Sequence, residues 1–396
     1  MPRQPSDNGL RVVPDAGPTL LLTAPYFPPE GGGLEMYAYN IGCQLVAAHG
    51  WRVIVVTTGA HKRGTVVERM GPLLVHRLSH QLLLSNSRVG FGWPGELRRL
   101  IKRYRPDVIN AHAPVPGLTD VLTAVAGSVP VVITYHVDSM LKGRRIPDAV
   151  IAPYERFVAP RVFERAHSLI AASQFVSNGI LAPYADKTTV ITPGVCLSTF
   201  KPGGLRDPDR ILFAAGLSKG HAHKGLDVLI EAMPTIVARN PRAHLHVAGT
   251  GGCEADFRDL AERFGVGDRV QFLGRLDGDA LVNAYRSAAV LTLPTRSDNY
   301  PMVLLEALAC ATPVVATCVG GIPSIVREGR NGYMVDPGDI DALADRLSRL
   351  VCSPTAARAM GEIGRHYALE YGWPSRAEAT DAILRSAAGL PRRAAA

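Results

Sequence analysis

The chain has 396 residues, of which 47% are hydrophobic and 20% charged, proportions that exclude a largely disordered protein and leave room for two domains of about 150 residues each. The net charge is +8. All of that excess lies in the first 205 residues, which hold 21 Lys and Arg against 13 Asp and Glu, so nucleic acid, an anionic membrane and a phosphorylated partner all fit on charge alone.

In chain order, the polar, Pro-rich stretch 1–18 reads as a disordered tail without the apolar centre of a signal peptide. Strands are then predicted at Pro18–Ala24, Trp51–Thr57, Asp107–Ala111, Val129–His136, Ser168–Ser173 and Thr188–Thr192. Each is apolar on both faces, as in a covered parallel sheet. Helices are predicted between them at Leu34–His49, Gly95–Arg105, Ala149–Arg165 and Phe175–Tyr184. A Pro, Gly and charge cluster at Thr199–Asp209 interrupts the rhythm. It then restarts with strands Arg210–Leu217, Ala243–Gly249, Arg269–Leu273, Ala288–Pro294, Pro313–Val319 and Gly332–Val335. Helices Leu226–Arg239, Ala255–Phe264, Asp279–Ala288, Met302–Cys310 and Ile340–Val351 separate these. The expectation is an α/β protein of two doubly wound domains, 19–200 and 206–373. No apolar run reaches the roughly 18 residues of a membrane span. The six cysteines form no CxxC pair and no zinc spacing, so a reduced cytoplasmic setting is expected.

Ligands of such sheets bind beyond the carboxyl ends of the strands, so residues just after each strand are the candidates. Gly31-Gly32-Gly33 opens the first helix, where bare backbone can approach an anion. It fails as a dinucleotide fingerprint because Met36 stands at the third glycine position. His112 and His136 lie at strand ends, with Asp138 and Lys142 shortly after the second. Lys219 and Lys224 follow the first strand of the second domain, Lys224 at a helix start suited to phosphate. Asp298-Asn299-Tyr300-Pro301-Met302 opens another helix, and Glu306 lies two turns into its apolar sequence, where a carboxylate needs partners such as sugar hydroxyls. Three DxD triplets, Asp207–Asp209, Asp277–Asp279 and Asp339–Asp341, are read as acidic caps and not as metal ligands.

The ordered set Gly31–Glu35, the HisxAsp at His136, VITPGVCLSTFKP (Val190–Pro202), Lys224-Gly225, the Asp298…Glu306 pair and PVVATCVGGIPSIVREGRNGYMVDPGD (Pro313–Asp339) resembles the retaining GT-B glycosyltransferases of family 4. The resemblance implies two Rossmann-like domains facing across a cleft, with a last helix at 374–388 crossing back to the first domain. It implies transfer of a hexose-type sugar from a nucleotide diphosphate sugar, UDP before GDP, to a hydroxyl acceptor, with no metal and no further cofactor. Carried over residue by residue, Glu306 takes the ribose hydroxyls and Lys224 the diphosphate. Asp298 and the backbone of Asn299, Tyr300, Pro301 and Met302 orient the sugar. His136 stands by the reacting sugar, Gly32 and Gly33 close over the phosphates, and Gly274 and Arg275 lie beside the base. The usual Arg after Gly216 is Leu217 here, and Lys219, or else His221, is expected to supply that charge. His112, Asp138 and Lys142 are the acceptor-side candidates. Nucleic acid drops out as a partner, and the basic stretch Gly95–Arg105 is left as a candidate contact with anionic lipid. Two rivals stay open: a sugar-nucleotide epimerase of the same architecture, and a donor-binding subunit of weak activity.

Overall fold

The computed structural model describes residues 17–84, 87–114, 116–140 and 151–392. The predicted tail, apart from Gly17 and Pro18, and Lys142 lie outside the described residues. The chain divides into two compact units, one ending at Pro193 and regaining the chain from Trp373, the other formed by Gly194–Gly372.

The N-terminal unit is built on strands β1 (Thr19–Thr23), β2 (Arg52–Thr58), β3 (Thr65–Met70), β4 (Leu73–Leu78), a small hairpin of β5 (Leu82–Leu84) and β6 (Ser87–Val89), then β7 (Val108–Ala113), β8 (Val131–Tyr135), β9 (Ser168–Ala171) and β10 (Thr188–Val190). Eight of these form one sheet in the order β10-β9-β8-β7-β1-β2-β4-β3, parallel except for β3. Its helices are α1 (Gly33–His49), α2 (Trp93–Tyr104), α3 (Thr119–Val125), α4 (Ala159–Arg165) and α5 (Gln174–Asn178). β1, β7 and β8 are buried along their whole length, as continuous apolar runs predict for covered strands.

The C-terminal unit carries β11 (Arg210–Ala214), β12 (His244–Ala248), β13 (Val270–Gly274), β14 (Val290–Leu293), β15 (Val314–Thr317) and β16 (Gly332–Val335). They form an all-parallel sheet in the order β13-β12-β11-β14-β15-β16. Around it lie α6 (Leu226–Arg239), α7 (Glu254–Arg263), α8 (Gly278–Ser287), α9 (Met302–Ala309), α10 (Ile340–Val351) and α11 (Pro354–Ala368). The last helix, α12 (Trp373–Ala387), belongs to the N-terminal unit. Asp381 fixes it there, accepting from Trp51 Nε1 at 2.5 Å and Arg385 Nε at 2.9 Å, while Arg385 also donates to the carbonyl of His49 at 3.0 Å.

Several expectations are corrected. The boundary falls between Pro193 and Gly194, ahead of the Thr199–Asp209 cluster, because Val195, Leu197 and Phe200 already pack into the C-terminal core. Phe175–Tyr184 is not one helix: α5 stops at Asn178, and a 3-10 segment, Ala182–Lys187, starts at a proline. The described part of Ala149–Arg165 contains a π turn, Tyr154–Val158, just before Pro160, which has no N–H to continue the regular ladder. Strands β3 and β4 and helices α3 and α11 were not anticipated. β3 is a half-exposed edge strand, and β4 is broken in sequence by His76 and Arg77, so neither reads as an apolar run. The three acidic triplets have structural partners: Asp339 caps α10 through the Ala342 N–H, Asp209 binds Asn240 and Arg242, and Asp277 pairs with Arg275.

Candidate active site

In a doubly wound sheet the loops part where strand order reverses. In the C-terminal unit that point lies between β11 and β14, and the loops after these two strands carry Lys219, Lys224 and Asp298. Residues Lys219–Lys224 coil into a 3-10 turn that ends at Gly225. Gly225 has φ +81°, and a Cβ there would lie 1.9 Å from the carbonyl oxygen of Pro294, so only glycine lets the two loops approach so closely. The contact is laced by Thr295 Oγ1 donating to the His223 carbonyl at 3.0 Å and by Arg296 chelating Asp227.

Across this junction Lys224 Nζ meets Asp298 Oδ2 at 2.5 Å, with side chains 21% and 12% exposed. The sequence assigned them separate tasks, and the fold makes them one ion pair. Lys219 is exposed and has no ion pair among the described residues. His221 is no substitute cation. Its Nδ1 binds Ser218 Oγ at 2.8 Å, and burial together with the charge of Lys224 holds its pKa below the ordinary range.

Asp298 leads through Asn299, Tyr300 and Pro301 into α9, which starts at Met302 without a side-chain cap. Glu306 is half-buried on that helix. Tyr285, sealed on α8, donates its hydroxyl to Glu306 Oε2 at 2.7 Å. Burial raises the pKa of the Glu306 carboxyl, and the Tyr285 hydrogen bond works against that rise. No sequence motif marks Tyr285 as part of this site. On the sheet's far strand, Gly274 ends β13 at φ +71°, and exposed Arg275 donates to Asp277 at 3.0 Å. Gly216 follows β11 closely packed, since a Cβ there would lie 2.8 Å from His221 Nδ1.

In the N-terminal unit the reversal lies between β1 and β7. After β1, Gly31 takes φ +114°, and its Cβ position would fall 2.5 Å from Glu35 Cγ. The space is filled by the Glu35 side chain, whose Oε2 accepts the Gly32 N–H at 2.7 Å. Glu35 is buried, and burial raises its pKa. The sequence signal of this brace is a Glu three residues after Gly32 at a helix start.

His112 and His136 come together, Nδ1 of His112 to Nε2 of His136 at 2.9 Å, both rings touching Tyr37 edge-on. Burial drives the pKa of His136 down to about 3 and that of His112 well below its ordinary value, with His136 adding to the latter. His112 lies inside β7 with no exposed surface, which corrects its place as an acceptor-side residue. Asp138 Oδ1 accepts the Ile180 N–H at 2.9 Å and so holds the turn after α5. A cavity of about 590 Å³ beside the glycine loop is lined by Tyr26, Glu30, Lys62, His80 and Arg88, among others. Arg88 pairs with Glu30 at 2.7 Å, and Lys62 Nζ rests 3.0 Å from His80 Nε2. Among the described residues no group of three His, Cys, Asp or Glu could hold a metal ion, and no helix is long and apolar enough to cross a membrane.

Residues 31–199 match the family model described as Glycosyltransferase Family 4, and residues 208–353 match that of Glycosyl transferases group 1. The chain is 31% identical over 304 residues to a D-inositol 3-phosphate glycosyltransferase of Kribbella flavida, covering 71% of each chain. It is 28% identical over 413 residues to that of Streptomyces scabiei, covering 94% of this chain and 91% of the relative. Among solved structures, sucrose-phosphate synthase from Thermosynechococcus elongatus superposes with a TM-score of 0.76 at 23% identity, covering 93% of this chain and 98% of the other. Anabaena HepE in complex with UDP-glucose does so at 0.73 and 18%, covering 93% and 99%. With two switch-point loops in each unit and both family models matched in order, the chain belongs to the family 4 glycosyltransferases and has the GT-B fold of two Rossmann-like domains.

Proposed function

We propose that this glycosyltransferase moves a hexose-type sugar from a nucleotide diphosphate sugar, UDP-linked before GDP-linked, to a hydroxyl acceptor with retention at the anomeric carbon. The observation that carries the proposal is the meeting of Lys224, Asp298 and an α9 bearing Glu306 at the switch point of one parallel sheet. The Glu306 oxygen that Tyr285 leaves open suits a ribose hydroxyl. Lys224 and Lys219 suit the diphosphate, and Asp298 with the uncapped start of α9 suits the sugar's hydroxyls. Gly274 and Arg275 suit the base; in the N-terminal unit, Gly32 and Gly33 suit a phosphate and His136 a sugar hydroxyl.

In the proposed reaction the bond from C1 to the phosphate oxygen breaks through an oxocarbenium-like state. The acceptor oxygen bonds to C1 on the same face, and its proton passes to the departing phosphate. The two lysines stabilise the leaving charge, so no metal is required. A UDP-glucose complex of a neighbour of the same fold supports the choice of UDP. The cavity holding Lys62 and Arg88 suits an acceptor that carries an anionic group, in line with the inositol phosphate named for the relatives. Thermal shift against a panel of nucleotide sugars, followed by mass spectrometry of products with the stabilising donor in EDTA, tests the whole. Transfer to an added hydroxyl acceptor is expected. A new sugar nucleotide from donor alone would make the protein an epimerase, and binding without turnover a donor-binding subunit.

A further inference from the structure

The two histidines of the N-terminal unit are joined ring to ring, with no carboxylate bonded to either among the described residues. His112 is completely buried in β7, and its Nε2 is sealed from solvent without a hydrogen-bond partner. His136 follows β8, with its N–H bonded to the Ala113 carbonyl at 3.0 Å, and it is 8% exposed. Its Nδ1 takes no hydrogen bond from the described residues and is not among the sealed atoms. The ring centroids lie 5.1 Å apart with planes 21° from parallel. Tyr37, tied to the Ile191 carbonyl at 3.1 Å and backed by Trp373, holds both rings from the side.

A neutral imidazole carries one N–H, so the 2.9 Å contact between the rings has two arrangements. If His136 donates, the proton of His112 must sit on Nε2, which buries an N–H with no acceptor. If His112 donates from Nδ1, its buried Nε2 is only a bare lone pair, and orphaned lone pairs are tolerated better than orphaned N–H groups. The second arrangement leaves His136 Nε2 as acceptor and puts the His136 proton on Nδ1, the open nitrogen. We propose that His112 is a positioning residue that fixes the tautomer of His136, so that His136 presents an N–H donor at Nδ1 and does not serve as a base.

The link to catalysis rests on the function proposed above: the donated hydrogen bond would go to an oxygen of the transferred sugar. The tautomer itself does not depend on that function. Nitrogen-15 NMR of the histidine-labelled protein should show His136 protonated at Nδ1 and bare at Nε2; a proton on Nε2 overturns the proposal. In His112→Leu nothing donates to Nε2 any longer, so part of the His136 population should carry its proton there, with kcat lowered about 10–100-fold and donor KM little changed, the loss expected when a supporting partner is removed. His112→Asn keeps an N–H near the original Nδ1 and should restore both the tautomer and most of the rate. Equal impairment of folded Leu and Asn variants, or an unchanged tautomer in the Leu variant, would also overturn it. If the Leu variant does not fold, the wild-type spectrum and the Asn variant still decide. An Nδ1-protonated His136 in a protein that transfers no sugar would leave the tautomer standing and remove the proposed function instead.

Discussion

Lys224 and Asp298 are 74 residues apart in sequence and 2.5 Å apart in the fold. Each is the other's main electrostatic partner, so a variant of one is also a perturbation of the other. Lys224→Ala is expected to lower turnover by about 10²–10³-fold, the range seen when one donor to a developing oxyanion is removed. It also leaves the Asp298 carboxylate, 12% exposed, without its cation. The double variant Lys224→Ala, Asp298→Asn should therefore regain melting temperature without regaining activity. Recovery of activity in the double variant would mean that the pair is structural. Glu306 gives a pH test. Burial raises its pKa in the folded state, so folding favours its protonated form. Its contribution to stability is complete below the unfolded value of about 4.3 and is lost as pH rises through the folded value. Glu306→Gln should therefore melt higher than wild type near neutral pH and lose that advantage in acid, while binding UDP more weakly. A higher melting point together with undiminished UDP affinity would separate Glu306 from the nucleotide.

At the scale of elements, what the sequence makes legible is the set of loops that follow buried strands. The apolar runs of β1, β11 and β14 read correctly, and so their carboxyl ends pointed to Gly31, Lys224 and Asp298. Contacts between elements were not legible. Nothing in the spacing pairs Tyr285 with Glu306, places His112 inside a strand, or turns Asp138 toward Ile180. β3 was missed for another reason: as an edge strand it buries one face only partly, and edge strands carry a weak pattern. Two elements can be tested by local substitution. Gly31→Ala sets a Cβ against Glu35 at φ +114°. The cost should be about 1–3 kcal/mol of strain, and amide exchange at Gly32 should rise as Glu35 is displaced from its N–H. Asp381→Ala leaves Trp51 Nε1 unpartnered, which should cost about 1–3 kcal/mol. Exchange protection should fall first along α12, and protection lost evenly over both units would show that Asp381 does more than anchor that helix.

For the whole molecule, the lopsided charge is the property that sequence and structure share most directly. The +8 excess falls in the first 205 residues, and its densest run is α2. The fold changes what that helix can do. Leu97 and Leu100 belong to the N-terminal core and Ile101 packs against it, so α2 has no free apolar face to insert into lipid. Arg98, Arg99, Lys102 and Arg103 remain exposed along it, with Arg105 at its end. Arg99 is partly neutralised by Glu96 at 2.5 Å. Attraction to an anionic surface would then be purely electrostatic, at about 1 kcal/mol for each basic residue close to the bilayer, and screened within about 8 Å at physiological salt. Flotation with vesicles rich in phosphatidylserine should therefore retain the protein in low salt and release it near 0.5 M, where an inserted helix would stay bound. Substituting Arg98, Lys102 and Arg103 with Gln should abolish retention with melting temperature unchanged, because none of the three side chains is part of the core. Retention that survives both salt and these substitutions would place the contact elsewhere, and the exposed Phe91 and Leu83 of the same unit would be the next residues to change.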